Sequence, residues 1–262
     1  MKRLNKKSLG QNFLIDKNII NKIINCIKIK NRNIIEIGPG QGALTDKILN
    51  QNPKSITAIE KDCLLSEDLK SKYHNNKTIK ILNKDFLNFN LEKLNIKNAI
   101  IIGNLPYNVS SQILVKIIRN KKWPPNYSDV IFMFQKELGD KILGKYPSKN
   151  YGRISILTNF RLYPVKKFHV SSNCFFPRPK VESIVIHFKP KKKTNFLIND
   201  LKNLEKVTNI LFSNKRKMIN KNIKKILDKN EIQRIKNLNL QHRPAEIKPE
   251  IYYKITELYE MR

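Results

Sequence analysis

The chain has 262 residues, 40% hydrophobic and 28% charged, long enough to bury a core without disulfides or metal staples and too ordinary in composition for a disordered or fibrous protein. Its apolar runs, such as 99–102 and 130–134, are far too short to span a bilayer, and its three cysteines are too widely spaced for a disulfide framework or a metal pair. A formal charge of +31 points to a polyanionic partner, although 42 Lys, 33 Asn and 38 Ile also bear the imprint of an AT-rich genome, which assigns part of the lysine excess to solvated faces. Met1–Leu14 is basic and polar, unlike a secretory leader, so a cytoplasmic protein without membrane association is expected.

The first third alternates strand and helix. Residues 33–37 form a short apolar strand ending in a glycine-rich turn, followed by a helix with Leu44, Ile48 and Leu49 on one face. Strands are predicted at 55–60, 78–82, 98–102 and 130–134, with helices between them and another from Gln135. Ile-rich strands joined by helices predict a parallel sheet covered on both faces. From about Leu162 the pattern changes: 165–170 and 183–188 read as two strands without an intervening helix, an antiparallel hairpin closing the sheet. The charged, proline-broken stretch 189–193 reads as a linker, and the remainder is helical in pattern. The expected division is 1–189, an α/β domain, and 190–262, a small all-α domain.

Four groups converge on the carboxyl edge of that sheet. Glu36-Ile37-Gly38-Pro39-Gly40-Gln41-Gly42 lets the backbone approach a ligand at a helix N-terminus, although by itself the G-x-G-x-G spacing also suits a bare βα turn. Glu60, at the end of the second strand, is placed to accept from ribose hydroxyls. Asp85, after the third, could accept from an exocyclic adenine amine. Asn104-Leu105-Pro106-Tyr107 follows the fourth. An exocyclic base amine is a poor nucleophile because its lone pair is delocalised into the ring. An Asn oxygen and a backbone carbonyl, each accepting one amine hydrogen, would localise that pair, while proline fixes the carbonyl and tyrosine offers a stacking face.

In this order, Glu36–Gly42, Glu60, Asp85 and Asn104–Tyr107 resemble the S-adenosylmethionine-dependent N6-adenine methyltransferases. Leu9–Leu14, Tyr151–Ser155, Phe176–Ser183, Leu211–Leu227 and His242–Glu246 extend the likeness over essentially the whole chain, to the bacterial 16S rRNA adenine dimethyltransferases, the kasugamycin-sensitivity family. The resemblance implies a Rossmann-like methyltransferase sheet of seven strands with a small helical domain, S-adenosylmethionine as methyl donor, and N6,N6-dimethylation of two adjacent adenosines near the 3′ end of 16S rRNA in the small ribosomal subunit, by a monomer. Carried over by position, Asn12, Leu14, Gly38 and Gly40 line the cofactor pocket, Glu60 holds the ribose and Asp85 the adenine amine. Asn104 joins cofactor and target base, Leu105 or Pro106 presents the accepting carbonyl, Tyr107 stacks on the target and Phe176 covers its other face. Two positions depart from the family: Arg178 stands where proline is more common, and Glu182 where Asp is usual.

Within Ser213–Lys225 there are six cations and no acid. On a helix Lys217, Lys221 and Lys224 would share one face, opposite Ile219, Ile223, Ile226 and Leu227, giving an RNA-phosphate grip; an ordinary solvated face is the alternative. Lys2, Arg3, Lys6 and Lys7 form a second basic patch. Four scattered histidines show no metal-ligand spacing. Two other functions fit the same fold: a 23S rRNA adenine methyltransferase of the macrolide-resistance type, and a non-catalytic subunit assembly factor.

Overall fold

The structure, a computed structural model, describes residues 11–262. Leu9, Gly10 and the basic patch Lys2, Arg3, Lys6 and Lys7 lie outside the described residues. The described residues form two compact units: one from 11–114, 125–139 and 164–190, the other from 115–124, 140–163 and 191–262.

The first unit is built on a seven-stranded sheet. Its strands are β2 (Asn33–Ile37), β3 (Ser55–Glu60), β4 (Ile79–Asn83), β5 (Ala99–Asn104), β6 (Tyr127–Gln135), β7 (Leu162–Val170) and β9 (Ser183–Pro190), in the order β4-β3-β2-β5-β6-β9-β7. The pairs from β4 through β6 are parallel, and β9 runs antiparallel to β6. The expected closing hairpin is therefore present, with its later strand inserted against β6 and its earlier strand at the edge.

Near-continuous isoleucine is what a sheet buried on both faces needs. Ile34, Ile56, Ile100, Ile102, Ile131, Met133 and Val185 form one core with α1 (Lys17–Ile24) and α2 (Ala43–Leu49). Their alternates Ile35, Ile37, Ile59, Ile101 and Phe132 face the other way and are equally buried. Each such side chain contributes about 1.5–3 kcal/mol. A two-stranded ribbon pairs β1 (Phe13–Leu14) with β8 (Phe175–Phe176), Phe13 opposite Phe176.

The second unit packs α7 (Leu201–Leu211) and α10 (Pro249–Glu260) through Leu204, Val207, Leu211, Tyr252 and Ile255, all buried. Tyr253 Oη donates to the Ile156 carbonyl on α6 (Arg153–Arg161) at 3.1 Å, and Tyr151 Oη to that of Ile247 at 2.9 Å. The stretch expected as a linker is tied down within this unit: Trp123 Nε1 donates to the Lys191 carbonyl at 2.8 Å, and Lys191 N–H to that of Arg161 at 2.8 Å. Among the described residues no helix is long and apolar enough to cross a membrane.

Candidate active site

In the first unit β2 lies between β3 and β5, so successive connections leave in opposite directions and open a crevice at the carboxyl ends of the strands. One cavity occupies that crevice. Its lining brings together every cofactor and catalytic candidate from the sequence: Asn12, Leu14, Gly38, Gly40, Glu60, Asp85, Asn104, Leu105, Pro106 and Tyr107.

Backbone geometry makes the crevice. Gly40 has φ +59°, the left-handed region that favours glycine, and a Cβ there would sit 3.1 Å from the Phe13 ring. Gly103 stands where β5 passes β2, and a Cβ on it would lie 2.5 Å from the Ile37 carbonyl oxygen. The Glu60 carboxylate braces the loops around the crevice, accepting from Gly40 N–H at 3.0 Å and from Asp62 N–H at 2.9 Å. Asp62 in turn caps α3 (Cys63–Lys72), accepting from Leu64 N–H at 3.0 Å. The Lys61 backbone N–H also favours the carboxylate, which keeps acceptor capacity beyond these bonds. Burial pushes the Glu60 carboxyl above its ordinary range, opposed by the bonds from Asp62 and Gly40. Asp85 accepts from Leu87 N–H at 2.9 Å and pairs with Lys61 Nζ at 2.9 Å.

Asn104 ends β5. Its Nδ2 donates to the Asn12 carbonyl at 3.1 Å, a bond that turns Oδ1 away as the acceptor. The Pro106 carbonyl accepts from Val109 N–H at 3.2 Å, and the Tyr107 carbonyl from Ser110 Oγ at 3.2 Å, where α4 (Ser110–Ile118) starts. Tyr107 Oη and Ser183 Oγ are 2.6 Å apart. Burial raises the Tyr107 pKa and the Ser183 bond opposes it, so the phenol is neutral at ordinary pH. Phe176, paired with Phe13 at the cavity wall, is 59% exposed.

Glu36 opens the glycine-rich motif, yet the sequence offered no role for it. It is fully buried; Oε2 accepts from Thr45 Oγ1 at 2.7 Å, and Oε1 has no hydrogen-bond partner. Burial raises its pKa to about 7, with Thr45 opposing and the charges of Glu60 and Asp46 adding. A carboxyl held above its unfolded value adds stability below about pH 4.5 that fades as pH rises through 7. Glu36→Gln, which cannot ionise, is expected to be more stable than the parent at pH 8 by up to about 3 kcal/mol, with the two converging toward pH 4.5. Denaturant midpoints across that range check this; parallel curves would show that Glu36 does not titrate there.

Three acidic side chains, one with an unpartnered buried oxygen, surround a left-handed glycine cradle, a lining that suits a cationic ligand.

The basic segment belongs to the second unit and differs from expectation. Helical residues there are confined to Phe212–Asn214, a 3-10 turn, and α8 (Asn220–Ile223). Ile219 N–H is taken by the His242 carbonyl at 3.0 Å, which stops one helix from running through. The two-sided pattern survives: Lys217, Lys221 and Lys224 are exposed, while Ile219, Ile223, Ile226 and Leu227 are buried.

Comparison with known proteins places the chain. The family model for ribosomal RNA adenine dimethylase matches residues 2–260. A ribosomal RNA small subunit methyltransferase A of Pelagibacter ubique is 40% identical over 256 residues, covering 97% of each chain. One from Malacoplasma penetrans is 40% identical over 257 residues, 95% of this chain and 90% of its own. Among solved structures, a dimethyladenosine transferase from Plasmodium falciparum has a similar fold, with TM-score 0.74 and 23% identity over 93% of this chain and 95% of that one. The 23S rRNA methyltransferase ErmE shares the fold at TM-score 0.69 and 22% identity, over 95% of this chain and 100% of that one. With a family model matched over residues 2–260 and relatives 40% identical over nearly the whole chain, the chain belongs to the ribosomal RNA adenine dimethylases, enzymes that use S-adenosylmethionine to methylate rRNA adenines.

Proposed function

We propose that this enzyme dimethylates N6 of two adjacent adenosines near the 3′ end of 16S rRNA within the assembling small ribosomal subunit, acting as a cytoplasmic monomer with a role in subunit biogenesis. The relatives that match it end to end are named for the small subunit. The observation that carries the chemistry is the Asn104 amide. With Nδ2 donated to the Asn12 carbonyl, Oδ1 is the atom left to accept an amine hydrogen.

S-adenosylmethionine, when bound, supplies an electrophilic methyl group. Glu60 would accept from the ribose hydroxyls on its remaining lone pairs, Asp85 from the adenine amine, and Asn12, Leu14, Gly38 and Gly40 would close around the rest. The target amine would donate one hydrogen to Asn104 Oδ1 and the other to a backbone carbonyl. Because the Pro106 carbonyl already accepts from Val109 N–H, Leu105 is the better assignment. Tyr107 and Phe176 would hold the flipped base between them. No strong general base is needed, since the nitrogen becomes acidic once alkylated.

Residues 1–189 would carry this chemistry and 190–262 the RNA grip, centred on Lys217, Lys221 and Lys224. Replacing all three with alanine is expected to weaken subunit binding at low salt and to flatten the plot of log affinity against log salt by about 2–3 in slope. An unchanged slope would remove these lysines from the interface. The reading as a whole is tested by methyl transfer to isolated subunits, with nucleoside mass spectrometry of the 16S product.

A further inference from the structure

We propose that Ser183 is a positioning residue for methyl transfer, acting through the Tyr107 ring; this rests on the reading of Tyr107 as the platform for the target base. Ser183 Oγ and Tyr107 Oη are 2.6 Å apart, joining residues 76 positions apart in the chain. Ser183 is completely buried, and a buried hydroxyl needs a partner. Serines commonly find one in a nearby backbone carbonyl. This one bonds instead to an aromatic side chain on the wall of the active-site cavity.

The anchor is tied to the sheet at several points. Ser183 is the first residue of β9 and pairs with Gln135, the last of β6. Just beyond that pair, Lys136 N–H donates to the Glu182 carbonyl at 2.9 Å, and Lys136 Nζ pairs with Glu182 Oε2 at 2.9 Å. Two backbone attachments and an ion pair therefore fix the place from which Ser183 reaches Tyr107.

A hydroxyl at the tip of a tyrosine lies on the χ2 axis. A bond there leaves ring flips free and stops the ring from swinging about χ1, which sets where the stacking surface stands. The segment ending at Ser183 begins at Phe176, whose partner Phe13 lines the same cavity. One short loop thus sets both aromatic faces between which the base would lie. The hydroxyl pair's function is to hold the platform at one height so that the target nitrogen meets the Asn104 acceptor in line for transfer.

The test compares wild type, Ser183→Ala, Tyr107→Phe, the double variant and Ser183→Thr, which keeps a hydroxyl. Single-turnover transfer is measured at saturating S-adenosylmethionine on under-methylated small subunits and unmodified large subunits, using whichever the wild type methylates. Transfer by the wild type to large subunits alone would defeat the small-subunit reading without touching this comparison. Ser183→Ala and Tyr107→Phe are each expected to slow transfer about tenfold, with the double no slower than either. S-adenosylmethionine affinity should stay within about twofold of wild type, and Ser183→Thr should recover most of the rate. Undiminished rates, two losses that multiply, or a loss matched by failing cofactor affinity would each overturn the proposal.

Discussion

Asn104→Ala is expected to bind S-adenosylmethionine within roughly tenfold of the parent, about 1.4 kcal/mol, while single-turnover methyl transfer falls by about 10²–10³-fold. Two functions of one amide are separated by this variant. Nδ2 holds the Asn12 carbonyl at 3.1 Å, a bond between two parts of the cavity wall whose loss costs about 1 kcal/mol. On the proposed mechanism Oδ1 would accept an amine hydrogen and draw the lone pair out of conjugation, acting on the barrier alone. Calorimetry for the cofactor, with quenched single-turnover assays for transfer, separates the two. Affinity collapsing in step with rate would move Asn104 from the chemistry to cofactor retention.

Glu60→Ala should act in the opposite sense, on binding first. Its carboxylate takes Gly40 N–H and Asp62 N–H at 3.0 and 2.9 Å, and its removal leaves both donors without that partner in a buried place, at about 1–3 kcal/mol each. The glycine loop and the start of α3 are braced by this one side chain, and on the proposed reading the ribose would lose its acceptor as well. S-adenosylmethionine affinity is expected to drop more than about 100-fold, or 2.7 kcal/mol, with a lower melting temperature. Glu60→Gln is not a mild alternative, because its amide would point N–H at one of the two backbone N–H donors. Affinity within tenfold in Glu60→Ala would mean that the cofactor is held elsewhere.

The parts of this molecule legible in the sequence are those encoded locally. Strands 33–37 and 55–60 announce themselves as short isoleucine runs between turn residues, and the site groups fall at strand ends because the crevice lies at the carboxyl edge. Three features depend on partners far along the chain. The ribbon of Phe13–Leu14 with Phe175–Phe176 is two residues per strand, too short to show any period. The insertion of β9 between β6 and β7 is set by long-range pairing, which alternation alone does not specify. The basic segment carries helical isoleucine spacing, yet the His242 carbonyl claims Ile219 N–H, and Asn214, Asn220 and Asn222 are weak helix formers. Burial of one face and exposure of the other needed only the spacing, so that part of the pattern held while the helix did not.

Within the site, residue types pointed to the chemistry and geometry added the supports. Glu60 read as a ribose ligand, whereas its two backbone bonds appear only once the glycine loop and α3 are in place. Glu36 looked like part of a turn, and its unpartnered oxygen emerges from the packing of Thr45 against it. Ser183 sat inside a motif with no chemical signal of its own; its link to Tyr107 is a tertiary fact.

The most direct measurement incubates the enzyme and labelled S-adenosylmethionine with under-methylated small subunits, naked 16S rRNA and duplex DNA in parallel, then maps the product by nucleoside mass spectrometry. N6,N6-dimethyladenosine at two adjacent positions near the 3′ end of 16S rRNA, formed on the small subunit and absent from DNA, is the result expected. Tight subunit binding without methyl transfer to 16S rRNA would contradict it and leave an assembly factor built on a methyltransferase scaffold.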